Sequence, residues 1–216
     1  MKTFLFFLSL CAPLWVAAQA SDSMAVQQVD SLLRAARSFV KNYDLDKALE
    51  LTQTAEKITL SDDIAMGPHS PLYATCCYVH GLILYYQGNY AASEKWHLEA
   101  LGIREKVFGK EHIDYAESLQ FLAVLNYEMG DYEKAEMLYL EVKDIFEVHL
   151  KNRTKRNYIY CLNNLAALYY EMGTYEKAEP LYLESIRIKE NVYGKEHTEY
   201  ALSLGNLALL YRKMGN

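Results

Sequence analysis

The chain has 216 residues, of which 51% are hydrophobic and 23% charged, and its formal net charge is −6. This acidic balance argues against nucleic acid and against an anionic membrane surface as partners. Beyond residue 20, no apolar run is long enough to span a bilayer.

Residues 1–20 have the three parts of a secretory signal peptide. Lys2 is followed by the apolar run 4–16 and by the small-residue sequence 18–20, which ends at Ala20. An uncleaved anchor is the alternative, but the run is short for a membrane span. A lipoprotein signal is disfavoured because Leu10, rather than Gly or Ala, precedes Cys11. We therefore expect cleavage near Ala20 and export, to a periplasm or to the medium.

Residues 21–60 are predicted to form a degenerate helical repeat, with helices at 24–41 and 45–60. Leu32, Ala36 and Phe39 lie at helical spacing on the first helix. Tyr43 stands where the later repeats have a turn glycine. Residues 61–70 are predicted to be a linker, and Pro71 after Ser70 favours a helix start.

From residue 71 onward, one pattern recurs. Gly88, Gly130, Gly173 and Gly215 lie 42, 43 and 42 residues apart, each after an apolar helical pattern. Such a period indicates stacked two-helix units and therefore an all-α solenoid of antiparallel helix pairs. The predicted repeats are 71–112 (helices 71–87 and 90–107), 113–155 (helices 113–129 and 132–149) and 156–197 (helices 156–172 and 175–192).

Residues 198–216 are predicted to be the first helix of an incomplete repeat, at 198–214. The sequence stops where a second helix is due, so we expect a fragment of a longer protein. Leu202, Leu204, Leu207 and Leu210 form an apolar stripe on this helix. A helix without its antiparallel mate leaves part of this stripe exposed, which favours self-association.

The junctions within the repeats have a direct physical interpretation. Each glycine suits the left-handed residue that ends a helix. The residue after it is predicted to cap the next helix, and these residues are Asn89, Asp131 and Thr174. Ala135 and Ala178 let the two helices of a pair approach closely, and Tyr139 and Tyr182 fill the space one turn later.

The residues Gly-x-Tyr-x-Lys-Ala-Glu at 130–136 and 173–179 resemble the tetratricopeptide repeat. The 42-residue period and the Gly-Lys-Glu-His turns at 109–112 and 194–197 resemble the kinesin-light-chain type. HEAT and armadillo repeats have similar periods but lack this junction. The repeated turns also suggest that His112 and His197 cap the helices that follow. The middle turn, 151–156, is a basic run that is either a docking patch for an acidic partner or, as we favour, a solvated loop.

The sequence predicts no catalytic residues, no cofactor and no metal. Known nucleophile, phosphate-loop and zinc-protease motifs are missing from it. Cys76, Cys77 and Cys161 are interpreted as small buried apolar residues. His80 and His97 are expected to face each other near Cys77, but three ligands do not complete a zinc site, so we favour a hydrogen-bonded core pair.

The resemblance implies a non-enzymatic scaffold whose first helices line a concave groove that binds a peptide segment or a protein. The expected partner is basic or aromatic, because the groove is tyrosine-rich and acidic and lacks a Lys/Arg carboxylate clamp. The alternative is a sensory or regulatory N-terminal arm of a longer protein with a peptidase-like, kinase or transcriptional output domain. The predicted groove residues are Tyr78, Tyr85, Tyr86, Gln120, Phe121, Tyr127, Tyr160, Asn163, Asn164, Tyr170 and Asn206.

Overall fold

The computed structural model describes residues 8–61, 66–149 and 155–215, with side chains from Ser23 onward. Every regular element in these ranges is an α-helix, so the predicted all-α fold is confirmed. The chain forms two compact units, unit 1 (residues 1–107) and unit 2 (residues 108–216). The helices are α1 (Leu8–Lys41), α2 (Leu45–Thr59), α3 (Pro71–Tyr86), α4 (Tyr90–Phe108), α5 (Ile113–Glu128), α6 (Tyr132–Val148), α7 (Lys155–Glu171), α8 (Tyr175–Tyr193) and α9 (Thr198–Met214).

The boundaries of α2 to α9 lie within one residue of the predicted ones, but the start of α1 does not. α1 begins at Leu8 rather than at residue 24, so helical backbone continues through the predicted cleavage point. The first buried side chain described is Ala25, which lies beyond that point. No helix in the described ranges is long and apolar enough to cross a bilayer. Residues 62–65 of the predicted linker and 151–154 of the basic run lie outside the described residues.

In unit 1, α1 packs against α2 along one stripe. The buried residues of α1 recur every three or four positions, at Val29, Leu33, Ala36 and Val40. The predicted stripe shares Ala36, but Leu32 and Phe39 are only half-buried. The prediction that Leu32 packs was wrong, because the structure buries the adjacent Leu33 instead. On α2 the buried residues include Ala48 and Ala55, whose small side chains let the helices approach closely.

The crossing of α3 and α4 depends on a glycine. Ser93 Oγ donates a 2.7 Å hydrogen bond to the carbonyl oxygen of Gly81. A Cβ at position 81 would lie only 2.5 Å from Nε2 of His97. The His97 ring is fully buried and packs edge-to-face on Tyr78, with centroids 5.2 Å apart. Position 81 therefore has room for hydrogen only.

In unit 2 the two complete helix pairs follow the predicted pattern. Ala135 and Ala178 are fully buried at the start of α6 and α8. Tyr139 and Tyr182, one turn later, are 2% and 5% exposed. The small residue and the aromatic that follows it therefore pack as the sequence predicts.

The turn within each helix pair requires a left-handed residue. Gly88, Gly130 and Gly173 have φ values of 77°, 82° and 72°, as predicted. Tyr43 takes the same place between α1 and α2 with φ 59°, and among the described residues it is the one non-glycine with positive φ. An L side chain is penalised in this conformation.

Polar side chains cap several helices. Asp131 accepts a hydrogen bond from the backbone N–H three residues later, at 3.2 Å. Nδ1 of His112 and of His197 accepts from the backbone N–H two residues later, at 3.1 and 3.2 Å, which confirms their predicted capping role. Thr174 was predicted to cap α8 but makes no such bond. Its hydroxyl instead donates to the carbonyl oxygen of Tyr169, 3.2 Å away, at the end of the preceding helix.

The last helix, α9, is only partly covered. Leu207 and Leu210 are 8% and 0% exposed and pack against the preceding pair. Leu202, Leu204 and Leu209 are 64%, 43% and 44% exposed. Of the predicted stripe, Leu202 and Leu204 are therefore exposed, whereas Leu207 and Leu210 are buried.

Candidate peptide-binding surface

Some tyrosines of unit 2 hold the two helices of one pair together. Tyr115 OH on α5 donates to Glu141 Oε1 on α6, at 3.4 Å. Tyr158 OH on α7 donates to Glu184 Oε1 on α8, at 2.9 Å. Both rings are buried, and burial together with the Glu184 carboxylate raises the pKa of Tyr158. These tyrosines are therefore part of the core and do not face a ligand.

Other tyrosines join one pair to the next. Tyr169 OH on α7 donates to Glu136 Oε1 on α6, at 2.8 Å, and Tyr211 OH on α9 donates to Glu179 Oε1 on α8, at 2.7 Å. Lys177 Nζ also lies 3.1 Å from Glu136 and 4.8 Å from the centroid of the Tyr169 ring. The tyrosine hydroxyl and the lysine hold the pKa of Glu136 below its usual range.

The first-helix residues that remain accessible in unit 2 are concentrated on α7 and α9. Tyr160 is 51% exposed, and Asn206 is exposed. Asn164 is half-buried. Asn163 is also half-buried, and its Oδ1 accepts a 2.8 Å hydrogen bond from Ser185 Oγ. The oxygen of Asn163 therefore contributes to the packing of α7 on α8.

The remaining predicted residues of unit 2 are half-buried. Gln120 and Phe121 lie on α5. Tyr127 stacks on Tyr132 across the α5–α6 turn, with centroids 5.7 Å apart. Tyr170 has the equivalent contact with the first tyrosine of α8, also at 5.7 Å. One face of each of these two rings is therefore occupied by the turn.

In unit 1 the three predicted residues differ in exposure. Tyr78 is 9% exposed, and the guanidinium carbons of Arg37 and Arg104 lie 5.1 and 4.9 Å from its ring centroid. A ring with cations over it and His97 at its edge has little surface for a ligand, so we leave Tyr78 out of the candidate surface. Tyr86 is 41% exposed and Tyr85 is half-buried.

Unit 2 also contains a pocket that the sequence did not predict. Its volume is about 220 Å³, and one of its lining residues, Lys189, is only 4% exposed. Lys189 Nζ lies 3.1 Å from Glu199 Oε2 and 2.7 Å from Ser203 Oγ. The pocket is lined by Arg156, Ile159, Tyr160, Lys189, Tyr193, His197 and Glu199.

A sequence signal for the buried Lys189 exists in hindsight. Arg104, Phe146 and Lys189 all stand fourteen residues after the first tyrosine of a second helix. All three are buried, and the phenylalanine indicates that the position faces the core. The sequence pattern does not single out the two cations, because lysine and arginine are almost never fully buried without a partner.

The cysteines and histidines whose side chains the structure describes have neutral or structural roles. Burial raises the pKa of Cys76 and of Cys77 to about 12, which keeps both as neutral thiols. His80 was expected to face His97, but the structure contradicts this. His80 Nε2 lies 3.1 Å from Glu56 Oε2. The His80 ring stacks on the indole of Trp96 on α4, with centroids 4.6 Å apart. Burial, followed by the charge of Arg104, lowers the pKa of His97 to about 3. Across residues 23–61, 66–149 and 155–215, no group of three His, Cys, Asp or Glu side chains could hold a metal.

Comparisons with known proteins identify the repeat. The sequence profile of the tetratricopeptide repeat matches residues 65–147 and 158–216, more than half of the chain. Comparison with curated protein sequences gives no match. Nearly identical TPR-like repeats assigned to a kinesin light chain of Podospora anserina superpose with a TM-score of 0.68 at 19% identity, covering 87% of each chain.

Two other solved structures share the fold. BtubC (BKLC) from P. vanneervenii has a TM-score of 0.70 at 18% identity, covering 92% of this chain and 85% of its own. The Rap conjugation gene regulator of the plasmid pLS20, in complex with the Phr* peptide, has a TM-score of 0.57 at 15% identity, covering 87% of this chain and 60% of its own. The junction glycines and the tyrosine that follows them indicate the same repeat as the profile match. The chain belongs to the tetratricopeptide-repeat family, and its fold is similar to that of the solved kinesin-light-chain repeats.

Proposed function

We propose that this protein is a non-enzymatic scaffold that binds a peptide segment or a protein on the accessible faces of its first helices. Proteins of this repeat fold are generally non-catalytic scaffolds. The solved complex of the Rap regulator with the Phr* peptide supports peptide binding as a use of the fold.

The observation that carries the proposal is a contrast between two kinds of first-helix position. The equivalent residues Leu125 and Leu168 are the same in both repeats, and both are fully buried. The accessible position of Tyr160 on α7 differs between repeats, since it is Glu117 on α5 and Leu202 on α9. Side chains that the packing does not constrain are free to contact a ligand.

Charge and ring chemistry favour a basic or aromatic partner. Glu128 and Glu171 are exposed at the ends of α5 and α7, next to Tyr127 and Tyr170. The Glu171 carboxylate contributes, after burial, to raising the pKa of Tyr127, so this charge lies close to the ring. A carboxylate beside a tyrosine face suits an arginine, a lysine or an aromatic ring.

Selection of random displayed peptides on the whole chain tests the proposal. Binding of the selected peptides is then measured with Tyr160→Ala and Asn164→Ala, and with Glu176→Ala on the exposed face of α8 as the matched control. We expect the first two variants to weaken Kd by about tenfold or more, as for an interface anchor, and the control to leave it unchanged. Peptides that bind all three variants equally would place the binding surface elsewhere and refute the proposal.

We also propose that the protein is exported after cleavage near Ala20, on the strength of Lys2, the apolar run 4–16 and the small residues 18–20. Expression with the leader, followed by mass spectrometry of the extracytoplasmic fraction, should give a chain that begins at Ser21. Recovery of the uncleaved chain in the cytoplasmic fraction would contradict export.

A second candidate function is a sensory or regulatory arm that precedes an output domain. The exposed Leu202, Leu204 and Leu209 favour it, because they lie on a helix face suited to packing against a further helix. The coding sequence downstream of Asn216 decides this point. An open frame with a peptidase-like, kinase or transcriptional domain supports the arm, and an immediate stop codon excludes it.

A further inference from the structure

The pocket of unit 2 is formed by the starts of α7 and α9 and by the end of α8. Its volume of about 220 Å³ is smaller than that of pockets that hold a whole small-molecule ligand, which measure roughly 300–1,000 Å³. The pocket is therefore suited to one side chain of a larger partner rather than to a free ligand.

The equivalent place at the preceding interface, between α5, α6 and α7, is closed. Phe146, at the position of the pocket lysine, is fully buried there. Asn157 Nδ2 donates a 2.9 Å hydrogen bond to Glu117 Oε1 and so joins the start of α7 to α5. At the pocket the same two positions hold Glu199 and Tyr160, and the carboxylate is directed to the lysine instead. The pocket is therefore a feature of the later interface and not of every repeat.

The pocket contains one positive charge that no carboxylate balances. Lys189 Nζ lies 3.1 Å from Glu199 Oε2 and also donates to Ser203 Oγ, at 2.7 Å, so these two charges compensate each other. Arg156, in the first turn of α7, is exposed. The ion pairs formed within residues 23–61, 66–149 and 155–215 do not include it. Because an arginine stays protonated, the pocket is locally basic in a chain whose net charge is −6.

His197 adds a neutral hydrogen-bond donor to the lining. Its Nδ1 accepts the backbone N–H of Glu199 at 3.2 Å, so this nitrogen carries no proton. In the neutral ring the proton is then on Nε2, which becomes a donor. The ring also stacks on Tyr193, with centroids 4.8 Å apart, which holds its plane.

These groups select a carboxylate. A guanidinium presents a planar fork of N–H donors that matches the two oxygens of a carboxylate. Phosphate groups are recognised by clusters of arginines, whereas this pocket has one uncompensated cation and therefore suits a single negative charge. Ile159 and Tyr160, which also line the pocket, provide apolar surface for the short stem of an acidic side chain.

We infer that the pocket between α7, α8 and α9 binds the side-chain carboxylate of an aspartate or glutamate in the partner. The inference rests on the proposed scaffold function and specifies one contact of it. It adds an acidic residue to a partner whose basic or aromatic part suits the other end of α7, where Glu171 is exposed.

The two ends of α7 also set a spacing in the partner. Arg156 and Glu171 are fifteen residues apart, which corresponds to about 22 Å along the helix axis. An extended peptide spans at most ~3.3–3.6 Å per residue. A peptide that follows α7 should therefore carry its acidic residue about six or seven residues, or more, from its basic or aromatic residue.

The test uses the whole chain and a library of random displayed peptides. Peptides selected on the native chain should share an aspartate or glutamate, with a basic or aromatic residue at the spacing given above. Each selected peptide is then synthesised with the acidic residue and with its amide, asparagine or glutamine. Fluorescence anisotropy measures the binding of both forms to the native chain, to Arg156→Ala and to the control Arg187→Ala. Arg187 is an exposed arginine of α8 that does not line the pocket.

The expected result is a coupling between the acidic residue and Arg156. Replacing the acid by its amide should weaken Kd for the native chain and for Arg187→Ala by about tenfold, as for the loss of a charged hydrogen bond. The same replacement should have no effect on binding to Arg156→Ala. This variant is compatible with the fold, because a cation in the first turn of a helix opposes the helix dipole.

Three outcomes overturn the inference. They are selected peptides without a shared acidic residue, an equal effect of the amide on the native chain and on Arg156→Ala, and a loss of binding only when the peptide's C-terminal carboxylate is amidated. Peptides that still require Asn164 would in each case leave the scaffold function standing. Binding that is unchanged in both Asn164→Ala and Arg156→Ala would refute both proposals.

Discussion

Replacing Gly81 with alanine tests the close approach of α3 and α4. The new Cβ would lie 2.5, 2.6 and 2.9 Å from three atoms of the His97 ring. Carbon atoms in contact prefer ~3.5–4.0 Å, so the ring or the helix backbone must move by about 1 Å. His97 is fully buried and cannot swing into solvent, and the Ser93 hydrogen bond holds the helices together.

The expected magnitude follows from two opposing effects. Overpacking of a tight contact costs ~1–3 kcal/mol. Alanine recovers about 0.5–1 kcal/mol relative to glycine inside a helix. We therefore expect Gly81→Ala to lower the free energy of unfolding by about 1–2 kcal/mol, the overpacking being the larger effect.

The matched control is Gly102→Ala on α4. No atom lies within 4 Å of a Cβ at that position, so only the helical gain remains and the variant should be more stable by about 0.5–1 kcal/mol. In the chain from Ser21 onward, Trp96 is the single tryptophan. Its fluorescence during urea unfolding therefore reports on unit 1. Equal stabilisation of both variants would show that the helices are not in close contact at Gly81 and would refute the reasoning.

The remaining predictions concern unit 2. Ala178→Leu should lower the free energy of unfolding, measured in urea, by about 1–3 kcal/mol because it overpacks α7 against α8. The control Lys213→Ala, on the exposed side of α9, should change it by no more than about 0.5 kcal/mol. An unchanged free energy for Ala178→Leu would mean that the packing register is wrong. The folded-state pKa of Glu136 lies below its ordinary value of 4.5. The contribution of Glu136 to stability is therefore present above pH 4.5 and is lost as the pH falls through the depressed value. Glu136→Gln should flatten the dependence of Tm on pH in this range. Identical Tm–pH profiles for the native chain and the variant would contradict the prediction. The exposed leucines of α9 should cause concentration-dependent association in sedimentation, which Leu202→Lys with Leu209→Lys abolishes. A native chain that stays monomeric at every concentration would contradict that expectation.

From residue 71 onward the helices were predictable because a glycine marks the turn within each helix pair. Gly130 and Asp131 end one helix and start the next in both the sequence pattern and the structure. The start of α1 was not predictable, since an apolar leader and a helix share the same composition. The side of α1 that packs was predicted wrongly at Leu32, because the adjacent Leu33 is equally apolar and helical spacing from Ala36 fits both leucines.

The candidate surface was less predictable than the fold. Tyrosine can fill a core, donate to a carboxylate or face a ligand, and the repeat pattern does not separate these uses. Tyr158 and Tyr169 donate to glutamates, Tyr78 lies under two guanidinium groups, and Tyr160 is exposed. The role of each tyrosine depends on which residues lie opposite it on the neighbouring helix. Those residues are distant in sequence, so the repeat pattern alone does not identify them.

The hydrogen bonds from Tyr169 to Glu136 and from Tyr211 to Glu179 give unit 2 a direction. In each case the hydroxyl of a later helix pair is held by a carboxylate of the earlier one. Each of these bonds is lost whichever of its two helices opens, so the order of opening depends on how well each helix is covered. Because α9 has three exposed leucines, local opening should begin there. Amide hydrogen exchange within residues 113–149 and 155–215 should accordingly be fastest in α9.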